Sequence, residues 1–322
     1  MEQNLALDIV KVTEAAAIAA ARHMGEGKVE DADRAAIAAM HASIRELPIR
    51  GRIVIGEGER GEAPVLHIGE EVGSGDGFAV DVAADAVEGT NLVAKGLPNA
   101  IAVLAVAEKG GILPAPDIYM EKLIVPPQAA GKVDLRWPPE RNLAALAEAL
   151  ERQISEITVV ILDRPRHADL IAAVRRAGAR IKLISDGDVA PAISVAVSGP
   201  GVHAVMGIGG APEGVLAAAA LRCLGGDFQG RFWYRNDAER QRAQEMGISD
   251  PDRIFLTGDL VRAKSLVFAA TGITDGDLFR GVRLFGGGVR THSLMMTVSG
   301  GQIRFVDTIH IQDISRVGVI RL

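Results

Sequence analysis

Asp81-Val-Ala-Ala-Asp-Ala-Val-Glu-Gly-Thr90 is the stretch around which the rest of the chain is organised. The apolar lead-in Phe78-Ala-Val80 reads as a short strand that delivers Asp85 and Glu88 to a turn closed by Gly89 and Thr90. Two carboxylates three residues apart then point into one space, beside a glycine amide and a hydroxyl. Hard divalent cations take carboxylate oxygens and backbone donors take phosphate oxygens, so the decapeptide suits a cation and an incoming phosphate. A helix start capped by Asp or Thr is the competing reading of the same residues.

Upstream, Leu5 to Met24 reads as a helix ended by Gly25-Glu-Gly27. A second helix is expected to begin near Asp31 or Asp33 and to run through Ile37, Met40 and Ile44 before Pro48. Asp33 stands at or near that start, where capping explains it unless other carboxylates converge there. Arg52-Ile-Val-Ile-Gly56 is a strand followed at once by Glu57-Gly-Glu-Arg-Gly-Glu62. Charge directly after a buried strand is well placed for a site, because the strand is rigid and its end exposed. Glu57, first off the strand, is the best metal candidate among Glu57, Glu59 and Glu62. Ile101 to Ala107 is an almost continuous apolar run, expected to be an interior strand, and the loop Gly110 to Pro116 presents Asp117 and Tyr119.

Downstream, the proline-rich stretch from Pro126-Pro127 to Trp137-Pro-Pro139 reads as a connection, dividing the chain into an N-terminal α+β part, 1–130, and a C-terminal α/β part, 131–322, within one compact unit. Helix Asn142 to Gln153, strand Ile157 to Leu162, helix His167 to Ala177 and strand Arg180 to Ile184 then alternate. Both strands end in charge, at Asp163-Arg-Pro-Arg166 and Ser185-Asp-Gly-Asp188. Such βαβ alternation predicts a parallel or mixed sheet with ligands beyond the carboxyl ends of its strands, making those loops neighbours. His203 to Gly214 follows the same logic: a short strand enters a glycine-rich turn, Pro212 occupies a first helical turn and Glu213 sits at its positive end. A polar helix over Asp237 to Met246 and short strands at 253–256, 265–270, 294–298 and 302–306 complete the chain.

Composition narrows the function. Acidic residues exceed basic ones by 41 to 35, and no Lys/Arg cluster forms a nucleic-acid stripe. Cys223, the single cysteine, rules out an intrachain disulfide and a cysteine zinc cluster, and its setting reads as an apolar helix face. With no run of about 18 apolar residues, and with Glu2, Asp8 and Lys11 at the start, a cytoplasmic protein without membrane segments is expected. Gly207-Ile-Gly-Gly210 lacks the full dinucleotide spacing and no P-loop occurs, which argues against nucleotide-dependent chemistry. The seven histidines show no close metal spacing; His292 is the one that could face a cleft. Asp33, Glu57, Asp85, Glu88 and Glu213 remain as acids near glycines, with Thr90, Tyr119, Arg164, Arg166, Asp186, Asp188 and Gly210 around them. Carboxylates without cysteine favour Mg²⁺ or Mn²⁺, and arginines beyond them suit a second phosphate, a pattern for phosphoester hydrolysis of a small metabolite.

Gly51-Arg-Ile-Val-Ile-Gly-Glu-Gly-Glu-Arg60 with Glu62-Ala-Pro64, Asp81 to Asn91, Ala115-Pro-Asp-Ile-Tyr-Met-Glu-Lys122, Asp163 to Arg166, Asp186-Gly-Asp188 and Gly207 to Gly214 together resemble the class II fructose-1,6-bisphosphatases of bacteria and cyanobacteria. The resemblance spans nearly the whole chain. It implies the alternating helix and sheet layers of the metal-dependent, lithium-sensitive sugar and inositol phosphatases, and removal of the 1-phosphate of fructose 1,6-bisphosphate. It implies metal ligands at Asp33, Glu57, Asp85, Glu88 and Glu213, with Mn²⁺ or Mg²⁺ as cofactor. Substrate contacts fall on Glu88, Gly89, Thr90, Tyr119, Arg164, Pro165, Arg166, Asp186, Gly187, Asp188 and Gly210, and Thr90, Glu57 and Asp85 stand nearest the chemistry. A homodimer or homotetramer, and a role in gluconeogenesis or the Calvin cycle, are also implied. Where members commonly carry Gly-Asp-Lys before the acid matching Asp33, this chain has Gly27-Lys-Val-Glu30, with the lysine one position early. The rival expectations are a bifunctional enzyme that also takes sedoheptulose 1,7-bisphosphate, an inositol-type monophosphatase, disfavoured by the two arginines, and a non-enzymatic sugar-phosphate binder.

Overall fold

The computed structural model describes residues 1–58, 61, 63–197, 199 and 201–313, the side chains of 2–4 excepted. Helices α1 (Glu2–Ala21) and α2 (Val29–Arg45) pack against each other, and α2 buries the four-residue stripe Ala32, Ala36, Met40, Ile44. The chain continues through β1 (Ile49–Ile55), β2 (Glu71–Val72), β3 (Phe78–Glu88), α3 (Thr90–Lys95), β4 (Ile101–Glu108) and β5 (Tyr119–Val125). Next come α4 (Pro139–Ala149), β6 (Thr158–Leu162), α5 (Ala168–Arg176), β7 (Arg180–Ile184), α6 (Val189–Val195), β8 (Ala204–Gly210) and α7 (Ala211–Leu224). Elements β9 (Asp227–Trp233), α8 (Asp237–Glu245), β10 (Phe255–Leu256), α9 (Thr257–Leu260), β11 (Leu266–Gly272), β12 (Arg283–Phe285), β13 (Gly288–Thr297) and β14 (Ile303–Ile311) follow.

Two mixed sheets organise these elements. The larger runs β12-β13-β11-β4-β3-β1-β2, with β14 added on β13, and the smaller runs β10-β9-β5-β8-β6-β7. Alternation along β4 decides what each face covers. Val103, Ala105 and Ala107 face a core shared with α6, α7 and the second sheet, whereas Ala102, Leu104 and Val106 face one shared with α1 and α2. The far side of the second sheet packs Leu123, Val159 and Ile161 against Leu143, Leu146 and Val174 of α4 and α5. Helix, sheet, helix, sheet, helix is therefore the layer order, an α/β layered architecture as expected. The chain changes sheets between β4 and β5, ahead of the proline-rich stretch, which stays with the second sheet, and returns to the first with β11.

Two local expectations change. Helix α2 begins at Val29, so Asp33 lies past its first turn and caps nothing. Strand β3 does not stop near Val80 but runs eleven residues to Glu88, because its apolar residues are sandwiched between β1 and β4. Asp85 and Glu88 are therefore on the strand rather than in a turn. In a regular strand, residues three apart point to opposite faces. Here Asp85 pairs with Val103 and Glu88 with Ile101, one residue more on β3 than on β4, and this bulge brings both acids to one side.

Candidate active site

Four elements aim acids into one basin of about 360 Å³: Asp33 from α2, Glu57 from the end of β1, Asp85 and Glu88 from β3, and Glu213 from the first turn of α7. One carboxylate oxygen each of Asp85, Glu88 and Glu213 lies within 4.8 Å of the others. Backbone amides fasten several of these side chains by a single oxygen. Ala86 N–H donates to Glu57 Oε1 at 3.0 Å, Val87 N–H to Asp85 Oδ1 at 3.0 Å, and Val189 N–H to Glu88 Oε1 at 2.9 Å. Glu213 Oε2 is buried without a hydrogen-bond partner. It folds back over Gly210, where a Cβ would come within 1.8 Å of that oxygen and would displace the carboxylate. Thr90 lines the basin at the start of α3 and donates its hydroxyl to Val87 O at 3.2 Å.

Crowded carboxylates resist ionisation. Burial, reinforced by Asp33 and Glu213, raises Glu57 to about 7, and burial, reinforced by Glu213 and Asp188, raises Glu88 to about 8. Burial also lifts Asp85 well above the carboxylate range, with Glu88 and Glu57 adding to it. Burial pushes Asp33 and Glu213 upward too. Converging acids, an all-oxygen donor set and an orphaned buried carboxylate oxygen fit a hard divalent cation.

A second basin of about 360 Å³ opens beside the first and shares Glu88, Asp117, Asp186 and Glu213 with it. Tyr119, Arg164, Arg166, Gly187, Asp188 and Gly210 line it, as expected from the two charged loops, whose neighbourhood is sealed by Asp163 N–H donating to Ile184 O at 2.8 Å. The Arg166 guanidinium lies 4.7 Å from the Tyr119 ring centre and donates through Nε and Nη2 to Ile208 O at 3.2 and 2.7 Å. Asn91 donates from its backbone and side chain to Asp186 Oδ2, at 3.3 and 3.1 Å.

Some expected residues fall elsewhere. Pro165 is exposed, lines neither basin and opens the single turn Pro165–His167. Lys28 precedes α2 with its Nζ 3.8 Å from Asp31, and neither it nor Val29 lines a basin. His292 stacks on Phe305, with ring centres 5.6 Å apart, and lines neither basin. Glu59 and Glu62 lie outside the described residues. Residues to which the sequence assigned no role are Arg235 and Asn91, which line the basins, and Lys122 and His167, which support them from behind. Lys122 carried a signal, a lysine inside an apolar strand run; His167 and Arg235 carried none.

The family model described as "Bacterial fructose-1,6-bisphosphatase, glpX-encoded" matches residues 3–310. The chain is 53% identical to the D-fructose 1,6-bisphosphatase class 2/sedoheptulose 1,7-bisphosphatase of Synechococcus sp. (strain JA-3-3Ab), over 97% of both chains. It is 50% identical to the protein of that description in Synechococcus elongatus (strain ATCC 33912 / PCC 7942 / FACHB-805), over 97% of this chain and 98% of the relative. With the one in Synechocystis sp. (strain ATCC 27184 / PCC 6803 / Kazusa) it shares 48% identity, over 98% and 99%.

Proposed function

The chain belongs to the bacterial, glpX-encoded fructose-1,6-bisphosphatase family and is a fructose-bisphosphatase; we propose that it removes the 1-phosphate, with that group over the acid basin and the other phosphate in the arginine basin. The observation that carries this orientation is the wall of Glu88, Asp117, Asp186 and Glu213 common to both basins. A substrate with an anion at each end of a sugar fits one basin that takes cations and a neighbouring one that supplies them.

Asp33, Glu57, Asp85, Glu88 and Glu213 are the ligands in this reading, with Mg²⁺ or Mn²⁺ as the ion. Bound there, a divalent cation neutralises phosphate charge and acidifies water. Thr90, whose proton is committed to Val87 O, keeps lone pairs with which to accept from an attacking water and orient it. Glu57 and Asp85 each commit one oxygen to a backbone amide, so their rotamers are set before substrate arrives. Arg164, Arg166 and Tyr119 hold the distal phosphate. Asp186, Gly187, Asp188 and Gly210 meet the sugar, Gly89 and Glu88 lie at the junction, and Pro165 shapes the turn that carries Arg166.

The relatives' names add sedoheptulose 1,7-bisphosphate, and we extend it to this chain as a second substrate, since both sugars place phosphates at their two ends. The layer order further supports membership of the metal-dependent, lithium-sensitive sugar and inositol phosphatases. A cytoplasmic homodimer or homotetramer is the expected form. No helix among the described residues is long and apolar enough to cross a membrane. Protein stripped with chelator and assayed with each bisphosphate should release phosphate only after Mg²⁺ or Mn²⁺ is restored. Release that persists without metal, or none from fructose 1,6-bisphosphate under either ion, would overturn the reading.

A further inference from the structure

Arg235 stands between β9 and α8 and lines the arginine basin together with Arg164 and Arg166. Its guanidinium lies 5.2 Å from the Tyr119 ring centre, the ring on which Arg166 rests at 4.7 Å and against which Trp233 packs edge-on at 6.0 Å. Glu239 fixes it. The Arg235 backbone N–H donates to Glu239 Oε2 at 2.8 Å and the side-chain Nε donates to Oε1, while Glu239 N–H donates to Asn236 Oδ1 at 3.0 Å to cap α8.

The Arg235 side chain is itself 54% exposed, so its pairing with Glu239 is screened by solvent and worth about 1 kcal/mol or less, which gives little reason for an arginine here. Its place beside Tyr119 gives a better one. Arg166 already spends one edge of its guanidinium on Ile208 O, and Arg164 donates Nη1 to Asp163 O at 3.1 Å. Neither offers all its donors to a ligand. A phosphate monoester carries close to two negative charges near neutral pH and three acceptor oxygens. A third cation, held over the same aromatic ring, completes the donor set.

We propose that Arg235 is a specificity-determining residue that binds the phosphate which is not hydrolysed. The proposal rests on the orientation given above, with the reacting phosphate over the acids. It makes Arg235 a discriminator between bisphosphates and monophosphates, and Glu239 the residue that positions it.

The test compares wild type, Arg235→Gln and Arg235→Lys on fructose 1,6-bisphosphate and fructose 1-phosphate under saturating metal. In Arg235→Gln the ratio of kcat/KM for the bisphosphate over the monophosphate should fall about tenfold or more, the loss residing in KM, with Lys restoring part of it. Product inhibition gives a second readout: fructose 6-phosphate should inhibit the Gln variant more weakly, while inorganic phosphate inhibits it as it does wild type. An unchanged ratio with unchanged fructose 6-phosphate inhibition, or equal loss on both substrates, overturns the proposal. A wild type that does not favour the bisphosphate at all would instead overturn the orientation beneath it.

Discussion

Lys122 Nζ donates to both carboxylate oxygens of Asp188, at 3.0 and 2.7 Å, in a pair whose side chains are only 1% and 7% exposed. The pair joins β5 to the start of α6 beneath the floor of the cleft. Its influence reaches the acid basin: burial raises Glu213, and the Lys122 charge pulls it back.

Lys122→Met leaves the Asp188 charge buried and unpaired beside Glu88 and Glu213. Stability should fall by about 3–5 kcal/mol, read from urea unfolding. The double variant Lys122→Met, Asp188→Asn should regain most of it without regaining full activity. If the single variant is as stable as wild type, the buried pair is not a structural element.

Glu213→Gln removes a buried charge and an orphaned oxygen's anionic partner at once. Without metal the variant should melt at or above the wild-type temperature, because like charges are relieved. With Mg²⁺ or Mn²⁺ it should show a smaller stabilisation than wild type, and turnover should drop by about a hundredfold or more. An undiminished metal-induced rise in melting temperature would remove Glu213 from the ligand set.

Metal-free protein should lose stability as pH rises from 6 to 9. Glu57 at about 7 and Glu88 at about 8 titrate well above an unfolded glutamate, near 4.3, so the folded state holds more protons in between. Their contribution is complete below the unfolded pKa and disappears as pH passes through 7 and 8. Melting curves with and without Mg²⁺ or Mn²⁺ check this, since cations replace the protons and flatten the slope. A metal-free melting temperature that climbs over this range would contradict it.

His167 is a positioning residue. Its Nδ1 meets Leu162 O at 2.7 Å and its Nε2 accepts from Ile208 N–H at 2.7 Å, so one ring ties the Arg164–Arg166 loop to β8. Burial holds its pKa below the ordinary histidine value, which keeps it neutral, and acceptance at Nε2 with a carbonyl facing Nδ1 puts the proton on Nδ1. Gly207 admits the ring, for a Cβ there would lie 2.9 Å from Nε2 and φ is +125°. His167→Phe should cost about 1–3 kcal/mol and raise KM for fructose 1,6-bisphosphate more than it lowers kcat, with no new pH dependence. Equal loss in kcat would place the ring nearer the chemistry.

Legibility followed the range of the forces involved. The βαβ run from Ile157 to Ile184 and the Pro212–Glu213 helix start were readable because periodicity and capping are local. Glu57, Glu88 and Glu213 were readable because strand ends are where a layered fold exposes charge, whereas Asp85 comes from within β3 and Asp33 from inside α2. The length of β3 was hidden: a run of Ala and Val broken by Asp85 reads as a strand ending, and only neighbours on both sides extend it. Lys122 and Asp188 lie 66 positions apart, and Arg235 meets Tyr119 across two strands, so neither relation leaves a trace in local sequence.

The unequal ladder between β3 and β4 has a genetic consequence. Exchanging Asp85 or Glu88 alters one donor, whereas loss of a codon between them removes the surplus residue and leaves the acids two apart on a regular ladder, still on one side. What the surplus residue supplies is a donor: the Ala86 amide holds Glu57 and the Val87 amide holds Asp85. A frame-preserving deletion at Ala86 or Val87 should therefore weaken metal binding by unfastening a ligand, while every carboxylate keeps its side.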